Sequence, residues 1–495
     1  MAEGHKRGRG RPPSTRPASG PPDKLAAREL FPVLLVFLLG FGFFLWIFSR
    51  DALIPMVDGP YYLIQVRSIL ATGGLAYGAP PLPFYLLSAF AFLLGDITLG
   101  VKVGVSFFCA LSAIPAYLLM RRVGKSRSAG ILAMLLVIFS APYVRMLADF
   151  MKNAVGVFFL FMFIYYLHEL ASSWHRRRSL ALASLFLVLT GMSHSLDLFA
   201  AILFFAVYAV LSSALNADRR RFMGAACVLA LVVSAFMLVS AVFFSAMFSD
   251  FGPAFSLIQR IFQPDGAGGA AVSGSSGLGP QAGAPPLSDG IGIIGGWAVV
   301  MLVFMAGAFL SYRAWKEGKR EQLSFLLAAT AMVLVICFPL IPGEWLFRTS
   351  LMFVVPASMI LSYGISRLWA PGDTPKAVAI AVSAACLLAS AGQCLRVAMD
   401  IGPTISDEGY LDLVGMKGSI PPGSIVFTEH SIVYWVRYVD GADVAGIPIQ
   451  ELSPETWESY PHVLFIFPKD GIPPVAHEPL FVGKDLLLAE VRQAG

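Results

Sequence analysis

The chain has 495 residues, 57% of them hydrophobic and 14% charged, with a formal net charge of +5. Soluble chains carry about 25% charged residues, so this composition excludes an ordinary soluble enzyme, a disordered chain and a disulfide scaffold. What remains is an all-α polytopic membrane protein.

The first 30 residues are rich in Pro, Gly, Ser and Arg, as in Gly8-Arg9-Gly10-Arg11-Pro12-Pro13. They are expected to form a disordered, basic cytoplasmic tail. The apolar run 31–49 ends in Ser49-Arg50-Asp51 without a small-residue cleavage site, which reads as an uncleaved anchor. Further apolar runs lie at 99–120, 128–147, 153–171, 179–194, 196–214, 222–248, 291–312, 322–340, 349–368 and 376–396. Most approach the ~20 residues that a span needs, giving eleven predicted spans in a transmembrane domain over 31–396. Run 179–194 is short and joins 196–214 through Ser193-His194-Ser195, read as a tight turn at one membrane face. The short stretch 82–94 follows Pro80-Pro81. It is expected as a helix lying within the first outer loop, 50–98, and partly dipped into the bilayer.

The basic residues test this count. Arg121, Arg122, Lys125 and Arg127, then Arg176-Arg177-Arg178, Arg219-Arg220-Arg221, the group Arg313, Lys316, Lys319 and Arg320, and finally Arg367 and Lys376 all fall on the side of the N-terminal tail. That is the positive-inside pattern, so the N-terminus is expected in the cytoplasm, with the plasma membrane as the host. Outside, loop 249–290 is Gly, Ser, Pro and Ala rich, a flexible composition that suits a spacer or a gate. Residues 397–495 are expected as a small extracytoplasmic α/β domain. Its predicted strands are Ser424-Ile425-Val426-Phe427, Val463-Leu464-Phe465-Ile466-Phe467 and Leu486-Leu487-Leu488-Ala489-Glu490-Val491. The five cysteines lie in or beside apolar runs, which predicts no disulfide framework and no thiolate metal site.

Ionisable groups near a bilayer are costly and functional by default, and this topology gathers several at the outer face. They are Asp58 after the first span, Asp149 at the end of the third, His194 with Asp197 one turn inward, and Glu344 with Arg348 before the tenth. The layout suits an anionic substrate held at the lipid surface. A cation stabilises a phosphate leaving group. Arg348 suits that by bidentate contact, with Lys152 and His194 as further donor-phosphate contacts. A carboxylate serves as general base or holds a divalent metal. Tyr61, Tyr62, Asn153 and Glu344 are the expected substrate contacts. Structural readings stand beside these: Asp58 as the cap of a helix starting near Pro60, Asp149 as a cap, His194 as a polar turn residue, Arg348 as an interfacial snorkel.

The series Asp58-Gly59-Pro60-Tyr61-Tyr62, Arg67, Tyr77, Pro80-Pro81-Leu82, Tyr85, Gly95, Tyr117, Asp149 and Lys152-Asn153 resembles the C-type (GT-C) superfamily of membrane glycosyltransferases. The order is most like the oligosaccharyltransferase catalytic-subunit branch. The resemblance covers 31–215 well, 291–396 loosely and the tail poorly. It implies that Asp58 and Asp149 belong to the two acidic motifs and are catalytic, with a divalent metal (Mg2+ or Mn2+) held between them. It implies that residues 80–94 form a horizontal helix and that Arg348 contacts the donor phosphate. The branch's Trp-Trp-Asp-Tyr-Gly motif is missing; in Phe427-Thr428-Glu429-His430-Ser431-Ile432-Val433-Tyr434-Trp435 only the aromatic pair Tyr434-Trp435 is similar to it. In loop 249–290 the nearest polar pair to an acceptor clamp is Ser288-Asp289, and Lys152-Asn153 stands where a further acid is expected.

The implied activity is transfer of a sugar from a polyprenyl-phosphate carrier at the outer membrane surface. The acceptor is a glycolipid, a polymer or a protein, with oligosaccharyltransferase-type transfer to protein as the alternative, and no nucleic acid is involved. A transporter or flippase of lipid-linked sugar is the second alternative, and a non-catalytic scaffold the third. Span centres nearly free of charge and the lack of inverted halves disfavour the transporter.

Overall fold

The structure, a computed structural model, describes residues 27–172, 176–215, 219–245, 290–341, 343–370, 375–446, 454–470 and 477–491. Most of the predicted N-terminal tail and loop 249–290, including Ser288-Asp289, lie outside the described residues. Elsewhere the chain is mainly helical, with one small sheet near its C-terminus.

Seven helices among the described residues are long and apolar enough to cross a membrane: Glu29–Ser49, Ile97–Val123, Met151–Ser172, Ser195–Leu215, Phe222–Phe243, Gly296–Lys316 and Lys376–Met399. Two bent pairs bring the total to nine. Arg127–Ile138 meets Ala141–Asp149 at 47°, and Trp345–Leu351 meets Val354–Leu368 at 41°. The predicted runs 179–194 and 322–340 are also helical, as Arg176–Ser193 and Arg320–Ile336. The first opens on three arginines and the second has 17 residues, so each falls short of an apolar length of ~20. Among the described residues the eleven apolar runs thus become seven helices of spanning length, two bent pairs that bring the number to nine where each pair is one span, and two shorter helices.

The helices that build the site are named in chain order. They are α1 (Ala27–Ser49), α2 (Gly59–Thr72), α3 (Leu82–Leu94), α4 (Ile97–Leu111), α5 (Ala113–Val123), α6 (Arg127–Ile138), α7 (Ala141–Asp149), α8 (Met151–Ser172), α9 (Arg176–Ser193) and α10 (Ser195–Leu215). Of these, α3 is the stretch expected within the first outer loop, a helix of 13 residues. It crosses α4 where Gly100 leaves no gap: a Cβ there would stand 2.2 Å from the Ala91 Cα. Further along come α11 (Arg219–Phe243), α12 (Gly290–Lys316), α13 (Arg320–Ile336), α14 (Gly343–Leu351), α15 (Val354–Leu368) and α16 (Lys376–Met399).

Ion pairs mark one end of this bundle. Buried Glu29 meets Arg121 at 3.0 Å and also Arg127, Arg122 meets Glu169 at 3.2 Å, and Arg367 meets Glu317 at 3.0 Å. These are the cations that the sequence places together in inside loops. The other end carries the C-terminal domain, which begins with α17 (Asp407–Met416). Its five strands are β1 (Ser424–Thr428), β2 (Asp443–Ala445), β3 (His462–Pro468), β4 (His477–Val482) and β5 (Leu486–Val491), in the order β2-β1-β3-β5-β4. β1 runs parallel to β2 and β3, and β5 antiparallel to β3 and β4. Three strands fall on the apolar runs read from sequence; β2 has three residues, and β4 is mostly exposed, so neither leaves a clear apolar pattern.

In α17, burial of Asp412 opposes ionisation. The backbone N–H groups of Lys484, Asp485 and Leu486 outweigh it and hold the carboxyl below its usual range. Asp440 is the opposite case. It ends helix α18 (Val433–Asp440), and neither carboxylate oxygen has a hydrogen-bond partner. Burial pushes this carboxyl up to about 6, against the pull of Lys417. The folded state therefore keeps the proton to a higher pH than the unfolded state. The resulting stability is complete below about pH 4 and is lost as the pH rises through 6. We expect Asp440→Asn to melt above the wild type at pH 7.5 and close to level with it at pH 3.5, by tryptophan fluorescence. A gap of the same size at both pH values would contradict this.

Candidate functional site

Asp58 is reached through a short, heavily held segment after α1. Arg50 donates to the Ile401 carbonyl and lies 3.3 Å from Met399 Sδ. Lys102, buried near the start of α4, donates to the carbonyls of Asp51 at 2.7 Å and Ala52 at 2.8 Å. The Met56 N–H donates to Gly402 O at 2.9 Å. Met56 itself has φ +64°, a left-handed conformation that strains a residue with a long side chain. Asp58 then occupies the N-cap position of α2, but its carboxylate makes no capping bond, and Pro60 sits in the first turn where no N–H is needed. Capping therefore does not account for the aspartate. Gly59 is required by proximity, since a Cβ there would stand 2.7 Å from Ile54 Cγ2.

Asp149 closes α7, the outer half of a broken span. Its Oδ2 accepts from Arg145 Nε one turn back at 2.6 Å. Phe150 interrupts the helix, and α8 restarts at Met151. Three contacts fix this junction. The Lys152 N–H donates to the Tyr62 hydroxyl at 3.0 Å, which ties the segment after Asp149 to the helix after Asp58. The Tyr143 hydroxyl lies 2.9 Å from the Ser112 hydroxyl and 3.0 Å from Ala154 O. Asn153, with its amide turned to donate, places its nitrogen 2.9 and 2.7 Å from the two oxygens of buried Asp197 on α10. Only an amide NH2 faces a carboxylate favourably. Gly156 makes room, since a Cβ there would fall 2.0 Å from Asp197 Oδ2.

The expected site residues thus divide. The segments that carry Asp58 and Asp149 are joined through the bond from the Lys152 N–H to the Tyr62 hydroxyl. Arg348 joins them from α14, its guanidinium 5.6 Å from the Phe150 ring centroid and 5.8 Å from that of Trp345, both cation–π distances. Tyr61 lies in an aromatic cluster with Tyr77 at 5.7 Å and Tyr434 at 5.3 Å. Asn153 is 1% exposed; the expected substrate contact gives way to the internal bond with Asp197. Tyr62 is likewise 1% exposed and serves as the joint described above. His194 Nδ1 accepts from the Leu196 N–H at 3.1 Å, a cap for α10 in keeping with the turn reading. Glu344 begins α14, and its side chain lies outside the described residues. Of the Tyr434-Trp435 pair, Trp435 is 1% exposed and belongs to the core of the C-terminal domain.

Other residues matter that the sequence reading did not single out. Arg145, four residues before Asp149, was open to an i,i+4 reading, and its terminal nitrogens have no further partner among the described residues. Lys102 was visible as a lone lysine in an apolar run. Tyr434 was visible only as part of an aromatic pair. It sits on α18, and burial followed by the nearby Asp58 carboxylate pushes its phenol well above the usual value. α18 closes over α2 through Arg67, 3.7 Å from the Tyr438 ring centroid, and Arg437, 4.9 Å from that of Tyr77. Two carboxylates suit Mg2+, which takes one or two from a protein and fills its other positions with water and substrate phosphate; Asp149 is also held by Arg145. No group of three or more His, Cys, Asp or Glu residues suited to a metal occurs among the described residues.

A family model described as a 6-pyruvoyl-tetrahydropterin synthase related domain, membrane protein, matches residues 77–247. No curated protein matches the chain. Solved structures match over most of its length. The oligosaccharyltransferase AglB from Archaeoglobus fulgidus, in complex with an inhibitory peptide and a dolichol-phosphate, is 13% identical; the match covers 89% of this chain and 69% of that one, with a TM-score of 0.59. The A. fulgidus oligosaccharyltransferase in complex with Zn and sulfate is 14% identical over 88% and 67%, with a TM-score of 0.60. ArnT from Cupriavidus metallidurans, in the apo state, is 12% identical over 94% and 98%, with a TM-score of 0.56. The chain has the GT-C fold of membrane glycosyltransferases and resembles the oligosaccharyltransferase branch. It is a membrane protein.

The amide–carboxylate pair under the junction gives a direct test. Asn153→Asp sets a second carboxylate against buried Asp197, whereas Asn153→Ala only removes the bond. At pH 8 we expect Asn153→Asp to melt below Asn153→Ala in detergent. Equal melting temperatures would contradict the pairing.

Proposed function

We propose that the protein is a membrane glycosyltransferase that moves a sugar from a polyprenyl-phosphate-linked donor to an acceptor at the extracytoplasmic face. The observation that carries the reading is the 3.0 Å bond from the Lys152 N–H to the Tyr62 hydroxyl. It sets the turn bearing Asp58 beside the junction bearing Asp149, on the face that holds the C-terminal domain. The GT-C fold and the dolichol-phosphate bound by a structural neighbour support the donor class. The acceptor is a glycolipid, a cell-surface polymer or a protein. Arginine-rich loops at the opposite end support a cytoplasmic location for that end and the N-terminus.

In this reading an acceptor hydroxyl or amide attacks the anomeric carbon of the donor sugar. The bond from that carbon to the phosphate oxygen breaks, and the bonding pair leaves with the polyprenyl phosphate. Asp58 takes the acceptor proton as general base. Arg348, whose guanidinium lies by Phe150, and Lys152 meet the charge that grows on the phosphate. Asp149 aligns Arg145 for the same task, leaving its terminal N–H groups to the phosphate. The aromatic cluster of Tyr61, Tyr77 and Tyr434 lies where the acceptor approaches between α2 and α18.

The test uses purified protein in lipid nanodiscs, a panel of radiolabelled polyprenyl-phosphate sugars, and pooled lipid and peptide acceptors. We expect transfer by the wild type and a loss on the order of 100-fold or more in Asp58→Asn, the usual contribution of a general base. Full activity in Asp58→Asn would remove that residue from the mechanism. Movement of labelled donor across the bilayer without transfer would favour a transporter.

A further inference from the structure

We propose that Ser390 is a positioning residue for Asp149, acting through the break in the span that carries it. This rests on the reading that Asp149 serves the transfer site.

The break lies between α6 and α7. Phe139 leaves the helix at φ −93°, ψ 32°, and Ser140 is extended before α7 begins. A helix end leaves carbonyls without their usual N–H partners, and inside a bilayer no water replaces them. The chain satisfies some of them locally, with the Phe139 N–H on Leu135 O at 2.9 Å and the Ser140 N–H on Val137 O at 3.3 Å. The Phe139 carbonyl is satisfied from elsewhere. Ser390 Oγ, on α16, donates to it at 2.7 Å. One turn further along the same face, Cys394 Sγ lies 3.9 Å from Ile138 O. Ser390 and Cys394 are four apart, so one stripe of α16 covers the break.

The leverage follows from length. α7 has nine residues, about 13 Å at ~1.5 Å per residue, with Ser390 at its root and Asp149 at its tip. Relaxing the 47° bend by about 5° moves that tip by about 1 Å, and a misplacement of that size costs on the order of 100-fold in rate. The same helix also reaches the other carboxylate. Just beyond its last turn, the carbonyls of Ile401 and Gly402 receive Arg50 and the Met56 N–H. α16 is thus one strut that touches both acidic segments, and Ser390 is its polar contact with the second.

Two readouts test this. In hydrogen–deuterium exchange on protein in nanodiscs, Ser390→Ala is expected to speed exchange over 140–149 and leave α4 and α10 unchanged. Ser390→Thr, which keeps the hydroxyl, is expected to restore protection. Unchanged exchange in Ser390→Ala would overturn the proposal whatever the activity. In the transfer assay, Ser390→Ala is expected to lower kcat by about 10- to 100-fold at unchanged donor KM, with rescue by Ser390→Thr. If Ser390→Ala does not purify folded, Ser390→Cys, a weaker donor of similar size, takes its place with the same expectations. Asp149→Asn separates the two layers. An active Asp149→Asn refutes the role of Asp149, whereas an inactive Asp149→Asn beside a fully active Ser390→Ala refutes the role of Ser390.

Discussion

A backbone inside a bilayer has no water to bond with, so every interruption of a helix must find a partner within the protein. Both acidic segments of this protein stand at such interruptions. The segment before Asp58 lends its carbonyls to Lys102, and the break below Asp149 lends one to Ser390. Side chains from distant helices therefore fill the gaps in the backbone, and in doing so they set where the carboxylates stand. The same need explains why a lysine can be buried in an apolar helix. Two of its three donors meet the carbonyls of Asp51 and Ala52, and its charge meets their dipoles.

The helical part of the fold was legible because a span has a long apolar signature. The basic loops were legible because charge follows sidedness, and the structure gathers them into ion pairs at one end of the bundle. What was not legible was length at the limit. α9 and α13 look like spans in composition, yet charged first turns shorten their apolar part. The bend between α6 and α7 was equally hidden, since Phe139-Ser140-Ala141-Pro142 lies in a continuous apolar run and Pro142 fits a first helical turn without a kink. The weak strands β2 and β4 escaped for the opposite reason, having too little buried surface to impose a pattern.

The site was legible in its carboxylates and less so in their partners. Asp58 and Asp149 draw notice because charge beside a bilayer is expensive. Asn153 and Asp197 look like site residues by the same logic, but each consumes the other's polarity, and together they form the floor under the junction. His194 is spent on a helix end. Arg145 escaped because a guanidinium next to a carboxylate on one helix reads as an ordinary surface pair. Arg348 is set against Phe150 only once α14 folds against α7.

One feature reaches into how the protein is made. Arg50 rests on Ile401, a partner 351 residues away in the chain, and Met56 rests on Gly402. Those carbonyls do not exist until most of the polypeptide has been synthesised. The first helices insert early, but until α16 arrives the segment ahead of Asp58 has Lys102 to hold it and lacks its partners at Ile401 and Gly402. Synthesis itself thus acts as a timer, because a partly made chain already in the membrane lacks the contacts that set its first carboxylate. A chain that ends before residue 400 lacks both of these contacts.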